Sequence, residues 1–372
     1  MTSRRLTGVG LAAAVLTLAA CSSAASSSSS STAASSAVTA AEAAVKAASS
    51  MPASIPVTQS LPSAPPKGKT VLFMQCEEVE CSYEGVGMEA AAKPIGWTVK
   101  VLNYQAANPA PLVAALQTGL QYHPVAAFFS GVPQEAWQSE QKPYAAAGAF
   151  LVDNFVSTTP SGPGVAAGRA YQSDMTSLGT VLADEQIADS GGQPSNSLLV
   201  NVPTYDVFGP LVTAYKATMA HACPTCQSTE VNVTLPQMLA GALNAAVVSA
   251  AKRVSGVKYI VSTNGSFTDQ LPAALKAAGL GQLKLISGQG LSPDQENVLN
   301  GSQLATVSSP LTLSGWQDVD IAIRLAMHLP AAAGDNDVPW VLLTKANIGT
   351  PSASYDRPAD YPAQFEKLWH VS

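Results

Sequence analysis

The sequence contains little charge and little histidine, and both shortages exclude classes of function. Charged residues make up 12% of the 372 residues, and Asp and Glu outnumber Lys and Arg by 25 to 19. No dense Lys/Arg cluster is present to neutralise phosphates, so nucleic acid is excluded as a partner. The four histidines are dispersed and give neither a metal-ligand spacing nor an evident general base. We therefore expect no metal and no cofactor.

Signatures of nucleotide binding and of common hydrolases are absent as well. The chain contains no GxxxxGK[ST] loop, no GxGxxG that opens a helix after the first strand, and no GxSxG elbow. No apolar run reaches the roughly 18–20 residues that a bilayer-spanning helix needs. These absences favour a protein that binds without catalysis, and we expect it not to be an enzyme.

The first 21 residues carry an export signal. Arg4 and Arg5 precede an apolar run over residues 6–18, and Leu-Ala-Ala-Cys21 follows. A charged start, a short apolar run and small residues before a cleavage point indicate a secretory signal peptide over residues 1–20. The last four residues resemble a bacterial lipobox, in which Cys21 becomes the diacylated first residue. We expect an exported protein, anchored to the outer face of the cell membrane by lipidated Cys21.

Residues 21–66 have the composition of a linker. They are rich in Ser and Ala, then in Pro, and contain few large apolar residues that could form a core. We expect a flexible tether with at most a turn or two of helix near residues 41–51. Its r.m.s. reach by flexible-chain scaling is on the order of 35–40 Å.

From residue 67 onward, short β-rich apolar runs alternate with Ala/Leu segments at helical spacing. Thr70–Gln75 and residues 125–129 are predicted strands, and the second is continuously apolar, as buried parallel strands are. Residues 134–147 and 236–254 are among the predicted helices. The alternation predicts an α/β fold of two wound βαβ lobes, with parallel sheets flanked by helices, a multi-strand hinge and a ligand cleft between the lobes. We assign residues 67–154 and 310–335 to the N-terminal lobe, and residues 155–309 and 336–372 to the C-terminal lobe.

Several motifs in this region resemble one family by their order and spacing. They are residues 87–97 (GMEAAAKPIGW), 105–109 (QAANP), 152–153 (VD), 172–174 (QSD), 263–264 (TN), 288–294 (GQGLSPD), 301–306 (GSQLAT) and 360–369 (DYPAQFEKLW). Together they resemble the type I periplasmic binding proteins, in the ribose-binding-like branch that serves ABC importers.

The resemblance implies a receptor that captures a small solute between two lobes and presents the closed form to a membrane permease. We take the receptor to be a monomer. An alternative is a ligand sensor that signals to a membrane receptor or kinase. A third candidate is a thiol-disulfide oxidoreductase built on Cys223-Pro-Thr-Cys226. Its motif closes a helix before a strand, whereas thioredoxin-like motifs open a helix.

The sequence departs from the family pattern where sugars are usually held. Glu78 replaces an Asn, Glu80 and Cys81 replace a stacking aromatic pair, and Asp153-Asn154 replaces an Asp-Arg pair. Residues 204–209 lack a second binding Arg, Gly290 stands where an Asp is expected, Ser309 replaces a usual Gln, and Asn264 is kept. The candidate ligand-binding residues are Glu78, Glu80, Tyr104, Asp153, Asn154, Tyr205, Phe208, Asn264, Gln289 and Ser309.

Acidic and aromatic candidates indicate the chemistry of the solute. Carboxylates accept hydrogen bonds from donors, and aromatic faces attract apolar rings or cations. We expect a polyol, an amino or cationic compound, or a partly aromatic molecule, rather than a pentose held by paired Arg residues. The alternative is that residues 77–80 form a solvated loop without contact to the ligand.

Four cysteines remain when Cys21 is taken as lipidated. An even number in an exported chain predicts disulfides, and four thiols allow three pairings. We favour the local pairs Cys76–Cys81 and Cys223–Cys226, because the first pair follows a strand in one lobe and the second follows a helix in the other. Cys76–Cys81 would then shape the loop that borders the cleft.

Overall fold

Two largely parallel sheets organise the chain. The computed structural model describes residues 25–105 and 110–371. The predicted signal peptide, Cys21 and residues 106–109 of the 105–109 motif lie outside the described residues. The strands are β1 Thr70–Gln75, β2 Thr98–Asn103, β3 Ala126–Ser130, β4 Phe150–Asn154, β5 Asn196–Asn201, β6 Ser228–Asn232, β7 Val257–Ser262, β8 Lys284–Gly290, β9 Ala305–Ser308 and β10 Leu342–Thr344.

Helices cover both sheets. They are α1 Ala25–Ala48, α2 Val79–Ile95, α3 Ala110–Gly119, α4 Gln141–Ala146, α5 Gln172–Ser190, α6 Gly209–Ala222, α7 Leu235–Leu239, α8 Leu243–Arg253, α9 Leu271–Ala277, α10 Ser292–Asn300, α11 Leu311–Ala326 and α12 Tyr361–Leu368. None of the described helices is both long and apolar enough to cross a membrane.

The first lobe is built on a four-stranded sheet in the order β2-β1-β3-β4. All its pairings are parallel, with Leu72 opposite Ala127 and Phe128 opposite Val152. Residues 71–74 of the central strand β1 are fully buried, which explains their continuously apolar sequence. α11 packs against α2 on this lobe, so the chain returns to the first sheet after building most of the second.

The second lobe is built on a six-stranded sheet in the order β10-β9-β8-β7-β5-β6. Its strands pair in parallel except β10, which runs antiparallel to β9. The predicted α/β fold of two wound lobes is thereby confirmed.

Several local predictions need correction. The helix expected over residues 134–147 consists of two 3-10 turns followed by α4, and the helix expected over residues 236–254 is divided into α7 and α8. Gly241 makes that division with a left-handed backbone, φ 74°, which glycine adopts without strain. α10 and α12 were not predicted, because α10 is rich in polar residues and α12 is only eight residues long.

The C-terminal end packs on the first lobe, whereas we had assigned it to the second. The Trp369 ring stacks on Trp316 of α11 with centroids 5.4 Å apart, and its Nε1 donates a 2.6 Å hydrogen bond to Asp320. Tyr355 belongs to a small apolar cluster with Val341 and Leu343 on the second lobe. The chain therefore crosses to the first lobe after residue 355. Aromatic residues at its C-terminal end then complete the core beside α11.

The segment expected to be a flexible tether is ordered from residue 25 onward. α1 packs against α5 of the second lobe, with Ala41 only 2% exposed. The apolar residues Val38, Ala41, Val45 and Ala48 recur at helical spacing and face this lobe's core. Farther along, Ile55, Val57 and Leu61 are buried in the first lobe. The tether prediction is wrong for residues 25–66, because Val and Ala residues at helical spacing dock α1 and larger apolar residues bury the segment that follows it.

Candidate ligand-binding cleft

A cavity of about 120 Å³ lies between the two lobes, at the carboxyl ends of strands from both sheets. Cys76 follows β1, Phe155 follows β4, and Ser309 follows β9, and all three line it. Parallel strands direct their carboxyl ends to one edge of a sheet, which is where wound α/β proteins bind ligands. The chain topology thus brings residues distant in sequence to one cleft.

Seven of the ten candidate residues line this cavity. They are Glu78, Glu80, Tyr205, Phe208, Asn264, Gln289 and Ser309. Whether they contact a ligand remains a prediction.

The other three candidates are buried behind the cavity lining. The Tyr104 hydroxyl donates a 2.8 Å hydrogen bond to the carbonyl of Ser130, and Asp153 accepts one of 3.1 Å from Trp137 Nε1. Burial raises the pKa of Asp153 well above its ordinary value. Asn154 donates a hydrogen bond to Asp318, which belongs to a buried ion cluster described below. None of these three side chains lines the cavity; Tyr104 instead holds the backbone of the lining residue Ser130.

The acidic edge of the cavity lies at the N-terminal end of α2. Glu78 is the residue that caps this helix, and its Oε1 accepts a 2.9 Å hydrogen bond from the Tyr205 hydroxyl of the other lobe. Burial raises the pKa of Glu78, and the negative charges of Glu80 and Glu77 act in the same direction, whereas the Tyr205 hydrogen bond lowers it. Both carboxylate oxygens of Glu80 are buried without a hydrogen-bond partner among the described residues.

A buried ion cluster lies directly beneath this edge. Arg169 is fully buried, and its Nη2 lies 2.5 Å from Glu84 Oε1 and 3.1 Å from Asp318 Oδ2. Asn154 Nδ2 donates a 3.1 Å hydrogen bond to Asp318 Oδ1. Burial raises the pKa of Glu84 to about 8, although the Arg169 guanidinium opposes this shift. The cluster ties α2, α11 and the segment between β4 and α5 together.

The sequence analysis did not predict this cluster, because the family pattern places an Arg directly after Asp153. Arg169 arrives from the segment that crosses to the second lobe, 16 positions later in the sequence. One signal was available, since Asp318 and Asp320 lie among the apolar residues of α11. Charged residues in a buried helix need partners, and that need points to a buried cation.

Aromatic rings form the opposite side of the cavity. Tyr205 stacks on Phe267 with centroids 5.9 Å apart and an interplanar angle of 21°. Phe208 meets Phe267 edge-on at 5.9 Å. Phe155 and Trp340 also line the cavity. The sequence analysis named Tyr205 and Phe208 as candidates, and it did not name Phe155, Phe267 or Trp340.

Several lining residues present buried polar atoms without hydrogen-bond partners in the described part of the chain. Besides the Glu80 oxygens, these atoms are Ser130 Oγ, Gln289 Nε2, Ser309 Oγ and Trp340 Nε1. An unsatisfied buried donor or acceptor costs about 1–3 kcal/mol, so a ligand that supplies the missing partners would stabilise the site. Within residues 25–105 and 110–371, no group of His, Cys, Asp and Glu is arranged to hold a metal ion.

Two lining residues have strained backbones. Phe155 and Gln289 adopt left-handed conformations, with φ of 54° and 47°. Residues other than glycine pay for such a backbone, and it is common at ligand sites. The Gln289 side chain is held by Asn264, whose Nδ2 donates a 3.2 Å hydrogen bond to its Oε1.

The disulfide predictions are confirmed. Cys76 pairs with Cys81 at an S–S distance of 2.07 Å, and both residues line the cavity. Cys223 pairs with Cys226 at 1.97 Å, immediately after α6 in the second lobe. The second pair lies at the C-terminal end of its helix, where the helix dipole does not favour a thiolate.

Comparison with known proteins supplies the fold. No protein-family model and no curated protein sequence matches the chain. Solved structures that match include sugar ABC transporter substrate-binding proteins. An ABC transporter solute-binding protein from Burkholderia graminis in complex with D-arabinose is 15% identical, with a TM-score of 0.66 over 78% of this chain and 99% of that one. The chain has the type I periplasmic-binding-protein fold.

Other matching structures carry different descriptions. A protein from Bacteroides fragilis that is described as a putative LacI transcriptional regulator is 14% identical, with a TM-score of 0.65 over 76% of this chain and 99% of that one. A XylFII–LytSN complex matches at 16% identity, with a TM-score of 0.61 over 76% of this chain and 100% of that one. The match confirms the fold expected from the sequence resemblance, and function has to be argued from the cleft itself.

Proposed function

We propose that the protein is an extracytoplasmic solute-binding protein that captures a small polar solute between its two lobes and does not transform it. The observation that carries this proposal is the cleft, which both sheets line and which the Tyr205–Glu78 hydrogen bond crosses. The structural neighbours that bind sugars for ABC transporters support the same role.

Closure of the lobes provides the mechanism. In an open form, the unpartnered groups of Glu80, Gln289 and Ser309 would be hydrated, and closure without a solute would leave them buried and unsatisfied. A solute that bonds to these groups binds the closed form more tightly and shifts the population toward it. A membrane permease would then recognise the closed form.

Export and anchoring complete the proposal. Residues 1–20 would be removed, and Cys21 would carry the lipid. α1 begins at Ala25, four positions after Cys21, and is docked on α5. Lipidation would therefore hold the second lobe close to the membrane surface, rather than suspend the protein on a long flexible chain. Labelled-lipid incorporation that disappears on Cys21→Ala would support the anchor.

A sensory role is the second candidate, and the XylFII–LytSN complex favours it by showing this fold in complex with a second protein. Uptake distinguishes the two functions. Cells without the protein would lose uptake of the labelled solute if the protein serves a permease. They would retain uptake and lose a transcriptional response if it serves a receptor. An insulin-reduction activity that is lost on Cys226→Ser would instead support the thiol-disulfide alternative.

A thermal-shift screen tests the binding function. The chain from Ser22 onward retains all described residues and would be screened against sugars, polyols, amino sugars, nucleosides, and cationic and aromatic small molecules. A solute present at about 100 times its dissociation constant should add about 2.7 kcal/mol of stability. Gln289→Ala should lower the affinity for a solute that binds in the cleft, whereas the control Gln121→Ala, at an exposed position, should leave it unchanged. A folded protein that responds to no member of the panel would contradict the proposal.

A further inference from the structure

We infer that the cleft is built for a protonated amine that also carries neutral hydrogen-bond acceptors, rather than for an uncharged sugar. This inference rests on the proposed binding function and specifies its solute. Three features of the cavity carry it: the sign of its charged groups, the unpartnered polar atoms in its wall and the aromatic rings opposite.

Every charged residue that lines the cavity is acidic. Among the described residues, these are Glu78, Glu80 and Glu84, and the lining contains no Lys, Arg or His from this part of the chain. Glu84 is engaged by Arg169, and Glu78 accepts the Tyr205 hydrogen bond. Neither carboxylate oxygen of Glu80 has a hydrogen-bond partner in the part of the chain that the structure describes. A buried carboxylate in this position is best satisfied by a donor that carries a positive charge.

The far wall of the cavity gives an independent indication of a ligand. Gln289 is 6% exposed and Ser309 is 2% exposed, yet Gln289 Nε2 and Ser309 Oγ have no hydrogen-bond partner among the described residues. The Gln289 amide can only donate through this nitrogen, so it requires an acceptor. With no cationic residue in the lining, a ligand carboxylate would remain uncompensated. The acceptor should therefore be a hydroxyl, an ether or a carbonyl.

The aromatic side of the cavity suits the body of such a molecule. Tyr205, Phe208 and Phe267 contact one another and face the same space as the glutamates. Aromatic faces stack on sugar or aromatic rings and attract cations within about 6 Å of the ring centroid. An amino sugar or a phenolic amine would meet all three requirements, because each combines an ammonium, neutral oxygens and a flat or ring-shaped body.

Matched pairs of solutes test the charge requirement. Titration calorimetry at pH 7 on the chain from Ser22 onward would compare D-glucosamine with D-glucose, and tyramine with its alcohol analogue tyrosol. Within each pair the molecules differ at the amine. We expect the amine of at least one pair to bind about 10-fold or more tightly than its neutral partner, as a charge-assisted hydrogen bond to Glu80 would produce.

Two Glu→Gln variants, each of which removes one negative charge from α2, test whether Glu80 causes the preference for the amine. Glu80→Gln should abolish the preference for the amine, whereas Glu89→Gln, at an exposed position on the same helix, should retain it. Equal or tighter binding of the neutral partners would overturn the inference and leave the proposed function intact. A preference that survives Glu80→Gln would overturn the assignment to Glu80. Absence of saturable binding by all four solutes to a folded protein would count against the inference, and the broader screen would then decide the function separately.

Discussion

The Tyr205 hydroxyl donates a 2.9 Å hydrogen bond to Oε1 of Glu78, and this bond joins the two lobes across the cleft. Glu78 precedes α2 in the first lobe, and Tyr205 follows β5 in the second. A hydrogen bond to a charged group contributes about 1.5–3 kcal/mol when the group is shielded from water. The bond therefore stabilises the closed arrangement even before a solute binds.

Tyr205→Phe should shift the ligand-free protein toward an open form, because it removes the hydroxyl and retains the ring. Small-angle X-ray scattering should then give a larger radius of gyration for the variant than for the parent protein. Tyr83→Phe, a half-buried tyrosine on α2, is the matched control and should leave the radius unchanged. An unchanged radius for Tyr205→Phe would show that other contacts hold the lobes together.

The Cys76–Cys81 disulfide should matter for binding more than the Cys223–Cys226 disulfide. Both sulfur pairs close short loops, so each should contribute modestly to stability. Only the first pair lines the cavity, where it fixes the loop that carries Glu78 and Glu80. We expect Cys76→Ser/Cys81→Ser to lower the affinity for the best solute of the screen several-fold. Cys223→Ser/Cys226→Ser should not, and equal losses in both variants would refute a local role.

The sequence predicted the sheets well because buried parallel strands leave a direct signal. β1 is predicted with its observed bounds, since Val71, Leu72, Phe73 and Met74 are apolar and all four are buried. Most candidate residues reach the cleft for a related reason, because they follow strand ends that topology brings together. Arg169 could not be placed, since its partners Glu84 and Asp318 lie 85 and 149 positions away.

The docking of α1 was missed because its composition resembles that of a linker. Its described core-facing residues are Val and Ala, and they are separated by Thr, Glu, Lys and further Ala residues. Hydrophobicity averaged over the segment conceals the stripe that contains Val38, Ala41 and Val45. The helical spacing of these Val and Ala residues, rather than the average hydrophobicity of the segment, was the signal that could have revealed the docking of α1.

Ala41→Glu should destabilise the protein, because it places a charge at a position that is 2% exposed against the second lobe. The loss cannot exceed the free energy of docking α1, since the helix can detach, and we expect about 2 kcal/mol. Urea unfolding measures the loss, and faster proteolysis within α1 would show detachment. Ala43→Glu introduces the same charge at an exposed position of α1 and should be nearly neutral. Similar effects of the two variants would contradict a docked α1.

Gly315 permits α11 to approach α2 closely, so Gly315→Ala should destabilise the first lobe. A Cβ at this position would lie 2.4 Å from the carbonyl oxygen of Glu84 and from the amide nitrogen of Met88. Backbone atoms cannot move aside cheaply, and overpacking of this kind typically costs about 1–3 kcal/mol. Gly209→Ala is the control, because nothing lies within 4 Å of its added Cβ in α6. We expect that variant to be neutral or slightly stabilising in thermal unfolding.

Asp269 should make the folded protein less stable as pH rises, in contrast to a carboxylate in a salt bridge. Burial raises its pKa to about 7, and the negative charges of Asp294 and Glu80 contribute to this shift. In the unfolded chain an aspartate titrates near pH 4. Between these values the folded state binds more protons than the unfolded state, so stability should decline as pH rises through this range.

Asp269→Asn removes that titration and should flatten the decline. Urea unfolding midpoints at pH 5 and pH 8 measure the decline in stability. The variant should exceed the parent protein in stability by the largest amount at pH 8. Glu84 and Asp335, whose pKa values burial raises to about 8, should leave a residual slope in both proteins. Glu89→Gln removes a carboxylate from an exposed position and should keep the parent slope. A parent protein that becomes more stable between pH 5 and pH 8 would contradict this prediction. It would mean that the folded protein stabilises the ionised form of Asp269 with hydrogen-bond donors.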